Sequence, residues 1–219
     1  MASIVARKSQ EKLADSLFKK THFCKQEVLN LLSMFSEEVK PKDKMDRTSF
    51  REILRTRFSM TDDMLMDRVY RAFDKDTDSF IKMEDWIVGL SVFLRGTLEE
   101  KTKFCFEVYD LNGDNYISKE EIMQLLKNTI IKQPTEEDPD EGIRELVKAC
   151  WICRMEIHDG KLSYSDFKTA VEGDHLLLEA FGQCLPTEED TDKFIDELKD
   201  DKEKQGKGPS SYKPKNEKK

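Results

Sequence analysis

The chain has 219 residues, of which 37% are charged and 37% hydrophobic, with a formal net charge of −8. That balance supports a packed core under a heavily charged surface, and the acidity argues against a dedicated nucleic-acid binder, which would carry a basic face. With only 6 Pro and 9 Gly, little interrupts long helices.

The stretch from Met1 to Lys8 turns charged quickly and lacks the apolar core of a secretory signal. No apolar run approaches the ~18 residues of a membrane span. Residue 2 is Ala2, so the glycine required for a myristoyl anchor is missing. The cysteines (Cys24, Cys105, Cys150, Cys153, Cys184) are odd in number and scattered, which fits reduced thiols in the cytoplasm.

Along the chain, apolar residues recur at helical spacing. Val28, Leu31, Leu32 and Phe35 predict a first helix, and Phe50, Ile53, Leu54 and Phe58 a second. Met66, Val69, Tyr70 and Phe73 give the next stripe, followed by Trp86, Leu90 and Phe93. Cys105, Val108 and Tyr109 precede Ile122, Leu125, Leu126 and Ile130. Ile143, Leu146, Val147 and Cys150 come before Tyr164, Phe167 and Val171. Short polar segments separate these stripes, so the unit is helix–loop–helix, repeated along the chain. Pro134 to Asp140, with two prolines and consecutive acids, reads as a surface linker.

The apolar cluster Leu176–Phe181 follows, then a charged helix from Thr187 to about Lys199 with Phe194, Ile195 and Leu198 on one side. Two readings of the cluster stay open, a cap over a groove and a permanent core segment. The expected units are residues 1–95, 96–175, a helical segment 176–201 and a disordered basic tail 202–219.

Two loops carry cation chemistry. A calcium-binding helix–loop–helix needs side-chain oxygens at loop places one, three and five, a carbonyl at seven and a two-oxygen Glu at twelve. Asp110, Asn112 and Asp114, then Tyr116 through its carbonyl, then Glu121, meet that pattern, with Asn115 at the turn and Ile117 placed to bridge a partner loop. Asp74, Asp76, Asp78, Phe80 and Asp85 meet it with changes. Ser79 stands at the turn, and Asp85 is one methylene shorter than Glu, which favours six-coordinate Mg2+ over Ca2+. For this second loop the alternative is a retained pairing loop of little affinity.

The outer loops are degenerate. The fourth holds Met155 and Ile157 where oxygens are needed, although Asp159, Gly160, Leu162, Ser163 and Asp166 keep the frame. The first, from Glu38 to Ser49, contains Pro41, Lys42 and Lys44, and only Met45 is placed to bridge Ile81. The fold class is therefore all-α, four paired EF-hands with the first and fourth degenerate, plus a C-terminal helix. No nucleophile–base pair or phosphate-cradling glycine loop points to an enzyme. Trp86, Leu90, Phe93, Met64 and Phe73 are candidates for a partner-binding groove, although core packing is the better account of any one of them and a sensor needs only some of the set to line a groove. Cys150 and Cys153 have redox spacing but lie on a predicted helix, where core packing is the better account.

Asp74–Asp85 and Asp110–Glu121, flanked by degenerate units, resemble the neuronal calcium sensor and calcineurin B-like families over roughly residues 20 to 185. Phe58–Met64, Trp86–Ser91, Phe93–Gly96, Lys132–Pro134 and Leu176–Gly182 resemble the ciliary, dynein-associated branch more narrowly. That resemblance implies a calcium sensor of the cilium or flagellum axoneme that regulates motility, with an outer-arm dynein heavy chain as partner and tubulin as a further contact. A plain calcium buffer and a calcineurin B-like regulatory subunit are the competing readings.

Overall fold

The computed structural model describes the backbone of residues 2–39, 44–129 and 160–205. The predicted helix at Ile143–Cys150, the thiols Cys150 and Cys153, and the ligand-poor places Met155, Ile157 and Asp159 lie outside the described residues, as does the linker 134–140.

The helices are α1 (Ala2–Leu17), α2 (Lys25–Glu38), α3 (Arg47–Phe58), α4 (Asp63–Phe73), α5 (Met83–Arg95), α6 (Leu98–Tyr109), α7 (Lys119–Thr129), α8 (Tyr164–Gly173) and α9 (Glu188–Gln205). Two short strands, β1 (Tyr116–Ser118) and β2 (Lys161–Ser163), and a 3-10 turn at His175–Glu179 complete the set among the described residues. Each predicted stripe within the described residues falls on one of these helices. The α1 helix lies beyond any predicted element, and α9 continues six residues past Lys199.

Local chemistry sets the boundaries. Asp46 and Asp62 cap α3 and α4 by accepting from the Ser49 and Leu65 amides, each at 2.9 Å. Thr97 with Glu100 and Ser163 with Asp166 form reciprocal capping boxes at the starts of α6 and α8. Ser59 ends α3 in the left-handed conformation, with φ of 53°.

Antiparallel pairing joins the loops in twos. Ile117 faces Leu162 in a β1–β2 ladder that also pairs Tyr116 with Ser163 and Ser118 with Lys161. In the first half a single bridge, Met45 to Ile81, does the same work with hydrogen bonds of 3.0 and 2.9 Å.

The core is aromatic in both halves. Phe50, Phe73, Phe93 and Phe58 pack edge to ring in the first half, and Phe106, Phe167, Tyr109 and Phe181 in the second. Phe104 on α6 touches both Phe73 and Phe93, which ties the halves together. The cluster 176–181 divides. Leu176 is 86% exposed, while Phe181 is fully buried against Tyr109 and Phe167, so its far end is core. The α9 helix crosses back to the first half, where Phe194 packs on Phe58 and Asn30 donates to the Leu198 carbonyl at 2.6 Å. On the opposite side Arg95 of α5 grips Glu27 of α2 with two hydrogen bonds, 2.9 and 2.8 Å. Burial pushes the Glu27 carboxyl up, but Arg95 and the Cys24 amide outweigh it and hold the group below 4.5.

Candidate metal centres

In the third hand, α6 delivers Asp110 as its C-cap, and α7 begins directly behind β1, so Glu121 stands in its first turn. The Asp110 carboxylate turns into the loop, accepting from Gly113 at 2.7 Å, Asp114 at 3.2 Å and Asn115 at 2.9 Å. Asn112 accepts from the Asp114 amide at 2.7 Å, and Asp114 from the Tyr116 amide at 2.9 Å. These local bonds wind the loop around its own oxygens. Gly113 and Asn115 take the left-handed positions, with φ of 78° and 65°. Both residue types tolerate that conformation.

Glu121 staples the loop shut. One carboxylate oxygen accepts from the Asn112 amide at 3.0 Å, and the other from the Ser118 amide at 2.7 Å and its hydroxyl at 2.8 Å. Asp110 and Glu121 are only 6% and 7% exposed, and the donors named are amides and one hydroxyl. The direct donors to these two buried carboxylates are neutral, with Arg68 and Lys161 as nearby charges, and the all-oxygen set fits a hard divalent ion. Among the described residues no three Asp, Glu, His or Cys side chains are gathered tightly enough to hold an ion as placed. The oxygens are spread over the loop amides and, at Asp114, onto Lys161 at 2.8 Å. That lysine holds the Asp114 carboxyl below its ordinary value, and Asp114 in turn raises Lys161.

The second hand repeats the frame between α4 and α5. Asp74, 7% exposed, accepts from the Ser79 amide at 2.9 Å and the Asp78 amide at 3.3 Å. Asp78 accepts from the Phe80 amide at 3.0 Å. Here Thr77 and Ser79 occupy the left-handed positions, with φ of 54° and 67°. The Tyr70 hydroxyl steadies the turn by donating to the Ser79 carbonyl at 2.5 Å, and burial pushes that phenol up to about 12. Asp85 makes no hydrogen bond to a described residue. Desolvation first, then the Asp76 charge, raises its carboxyl. Lys82 pairs with Asp76 and Asp78, and Lys44 reaches Asp78 at 3.3 Å.

The ten predicted ligands occupy corresponding sequence places on two loops, and the structure turns Asp74, Asp78, Asp110, Asn112, Asp114 and Glu121 onto loop amides while Asp76 pairs with Lys82. Asp74, Asp76, Asp78, Phe80 and Asp85 line the second, and Asp110, Asn112, Asp114, Tyr116 and Glu121 the third. Of the candidate groove residues, Trp86, Leu90, Phe93 and Phe73 are buried in this conformation, and Met64 borders a cleft of about 450 Å³ beside Leu111 and Gln124.

Sequence reasoning missed Arg68. This α4 residue spans that cleft and donates to the carbonyls of Val108, Leu111 and Glu107 at 3.1, 3.1 and 3.2 Å, and to that of Asp110. It caps the end of α6 where the third loop begins. Nothing in local spacing marks a residue that acts 40 positions away.

A family model described as an EF-hand domain pair matches residues 99–172. Calaxin of Xenopus laevis is 55% identical over 188 residues, covering 82% of this chain and 90% of its own length. Calaxin of Homo sapiens is 54% identical over 187 residues, covering 82% of this chain and 89% of its own. The chain belongs to the calaxin family. A calcium-binding protein of Dictyostelium discoideum, NCSA, is 34% identical over 108 residues, 49% of this chain and 57% of that protein. With its helix–loop–helix pairs and oxygen-lined loops, the chain is an EF-hand calcium-binding regulatory protein of all-α class. No helix among the described residues is long and apolar enough to cross a membrane.

Proposed function

We propose that this protein is a calcium sensor of the ciliary or flagellar axoneme that regulates outer-arm dynein, with the third hand as its principal switch. One observation carries the reading: Glu121 belongs to both the loop and the exit helix, and its buried carboxylate bonds to Asn112 and Ser118, at the third and ninth places of the loop. Bound calcium would supply a divalent charge to Asp110, Asn112, Asp114, the Tyr116 carbonyl and Glu121. Releasing the Glu121 staple frees the Asn112 amide and repositions the first turn of α7. That turn leads into Gln124, whose amide lies 3.6 Å from the Met64 sulfur at the cleft between the halves. Movement of α7 opens or closes the cleft, and its apolar edge at Met64 and Leu111 is suited to a partner helix. The dynein heavy chain as that partner, tubulin as a further contact and the axonemal address follow from family resemblance. Asp85, shorter and raised by desolvation, makes the second hand the weaker calcium site and the one open to magnesium.

The test is calorimetric calcium titration of wild type and Glu121→Gln, with and without magnesium, read alongside a fluorescent probe of exposed apolar surface. Expected is a tight step in wild type, weakened roughly a hundredfold in the variant together with loss of probe response. No calcium binding in wild type below millimolar levels sinks the sensor reading. Tight binding with no change in apolar exposure makes the protein a buffer.

A further inference from the structure

The two halves share a contact that ligand spacing does not require. In each, a lysine from the degenerate hand crosses the β pairing onto its neighbour. Lys44 and Lys161 each stand one residue before a bridging residue, Met45 and Leu162, and so at the seventh place of their own loops. Each ammonium pairs with the outer oxygen of the fifth-place aspartate across the pairing. Lys44 reaches Asp78 Oδ2 at 3.3 Å, and Lys161 reaches Asp114 Oδ2 at 2.8 Å. Each also lies over the seventh-place ring of that hand, 5.3 Å from the Phe80 centroid and 5.5 Å from that of Tyr116. In both cases the other oxygen of the aspartate accepts its own loop amide, from Phe80 or Tyr116.

A single exposed Lys–Asp pair is usually a surface contact of little consequence. Here register, carboxylate oxygen and ring recur together in two pairs whose degenerate loops otherwise differ. The carboxylates so engaged are ones the proposed function assigns to the ion. The lysine therefore satisfies an oxygen that the ion needs and sets a fixed positive charge beside it. We propose that Lys44 and Lys161 are affinity-setting residues: tethered cations, supplied by the degenerate hands, that weaken divalent-ion binding at the second and third hands respectively. On this account the degenerate hands regulate their partners through charge as well as pairing them. The proposal rests on the reading of these loops as calcium sites.

The experiment titrates calcium into the full chain carrying Lys161→Met, which keeps the stem over Tyr116 and removes the charge. Lys161→Gln serves as a second neutral variant, Lys161→Arg keeps the charge, and Lys168→Met removes a lysine that pairs elsewhere, with Glu99. Helix content of each ion-free variant is checked first by circular dichroism. Expected is a tightest step about three- to fivefold tighter in Lys161→Met and Lys161→Gln, with a gap to wild type that narrows at high salt. Lys161→Arg and Lys168→Met stay at wild type. Lys44→Met shifts the second, weaker step in the same direction. A wild-type step that Glu121→Gln abolishes but neither neutral variant tightens overturns this proposal alone. A wild type lacking any step sensitive to Glu121→Gln overturns the sensor reading and this proposal together.

Discussion

The second and third hands share a ligand frame and differ in almost everything that holds it. The third places Gly113 and Asn115 at its left-handed positions, where the second uses Thr77 and Ser79. A β-branched residue at positive φ is strained, so the second loop carries backbone energy the third avoids. Glu121 bonds to its loop at both Asn112 and Ser118, whereas Asp85 stands apart in a half-buried position that disfavours its charge. The third loop faces one lysine and the second faces two, Lys44 and Lys82. A three-residue ladder supports the third loop and a single bridge the second. Matching ligands thus do not make matching sites, because turn strain, closing reach and resident positive charge differ at each.

Three substitutions, with Asn115→Gly as a control for the last, sharpen or break that contrast. The largest effect is expected from Gly89→Ala, because a Cβ there would overlap the buried Phe73 ring between α4 and α5. Overpacking of this kind costs about 2 kcal/mol, which thermal unfolding would register. Its calcium consequence should fall on the second hand, and an equal loss at the third would break the contrast. Next, Asp85→Glu restores the missing methylene and should tighten second-hand calcium binding about tenfold at magnesium's expense, as competition titrations would show. Unchanged selectivity would mean that closing reach is not what separates the hands. Smallest is Ser79→Gly, which relieves the left-handed turn and should strengthen the second hand roughly threefold, consistent with about 0.5–1 kcal/mol of relieved strain. The corresponding Asn115→Gly should move the third hand much less.

Much of this was legible in the sequence because it is local. Helical stripes such as Met66–Phe73 landed on α4, and the order Asp110, Asn112, Asp114, Glu121 specified a loop before any packing was known. Even the Met45–Ile81 bridge could be read, from an apolar residue at the eighth place of each loop. The α1 helix was harder, because Ala14 and Leu17 near its end bury against the core but make only a short stripe. Arg68 and the crossing lysines were not legible at all. Each works through a contact made only when distant segments fold together, 34 residues apart for Lys44 with Asp78 and 47 for Lys161 with Asp114. The Leu176–Phe181 cluster stayed open in the sequence because apolar content alone does not separate exposed Leu176 from buried Phe181.

The return of α9 to the first half bears on synthesis. Phe194 and Leu198 are 2% and 0% exposed there, and the Asn30–Leu198 bond closes a separation of 168 residues. Hands one and two can wind their helices as they leave the ribosome, but the face of α2 and α3 beneath α9 stays bare until residue 198 has emerged. During that interval the Phe58 ring keeps its contact with Phe93 but lacks the one with Phe194. The nascent chain therefore carries this apolar face late into translation, when every described helix except α9 has already been synthesised.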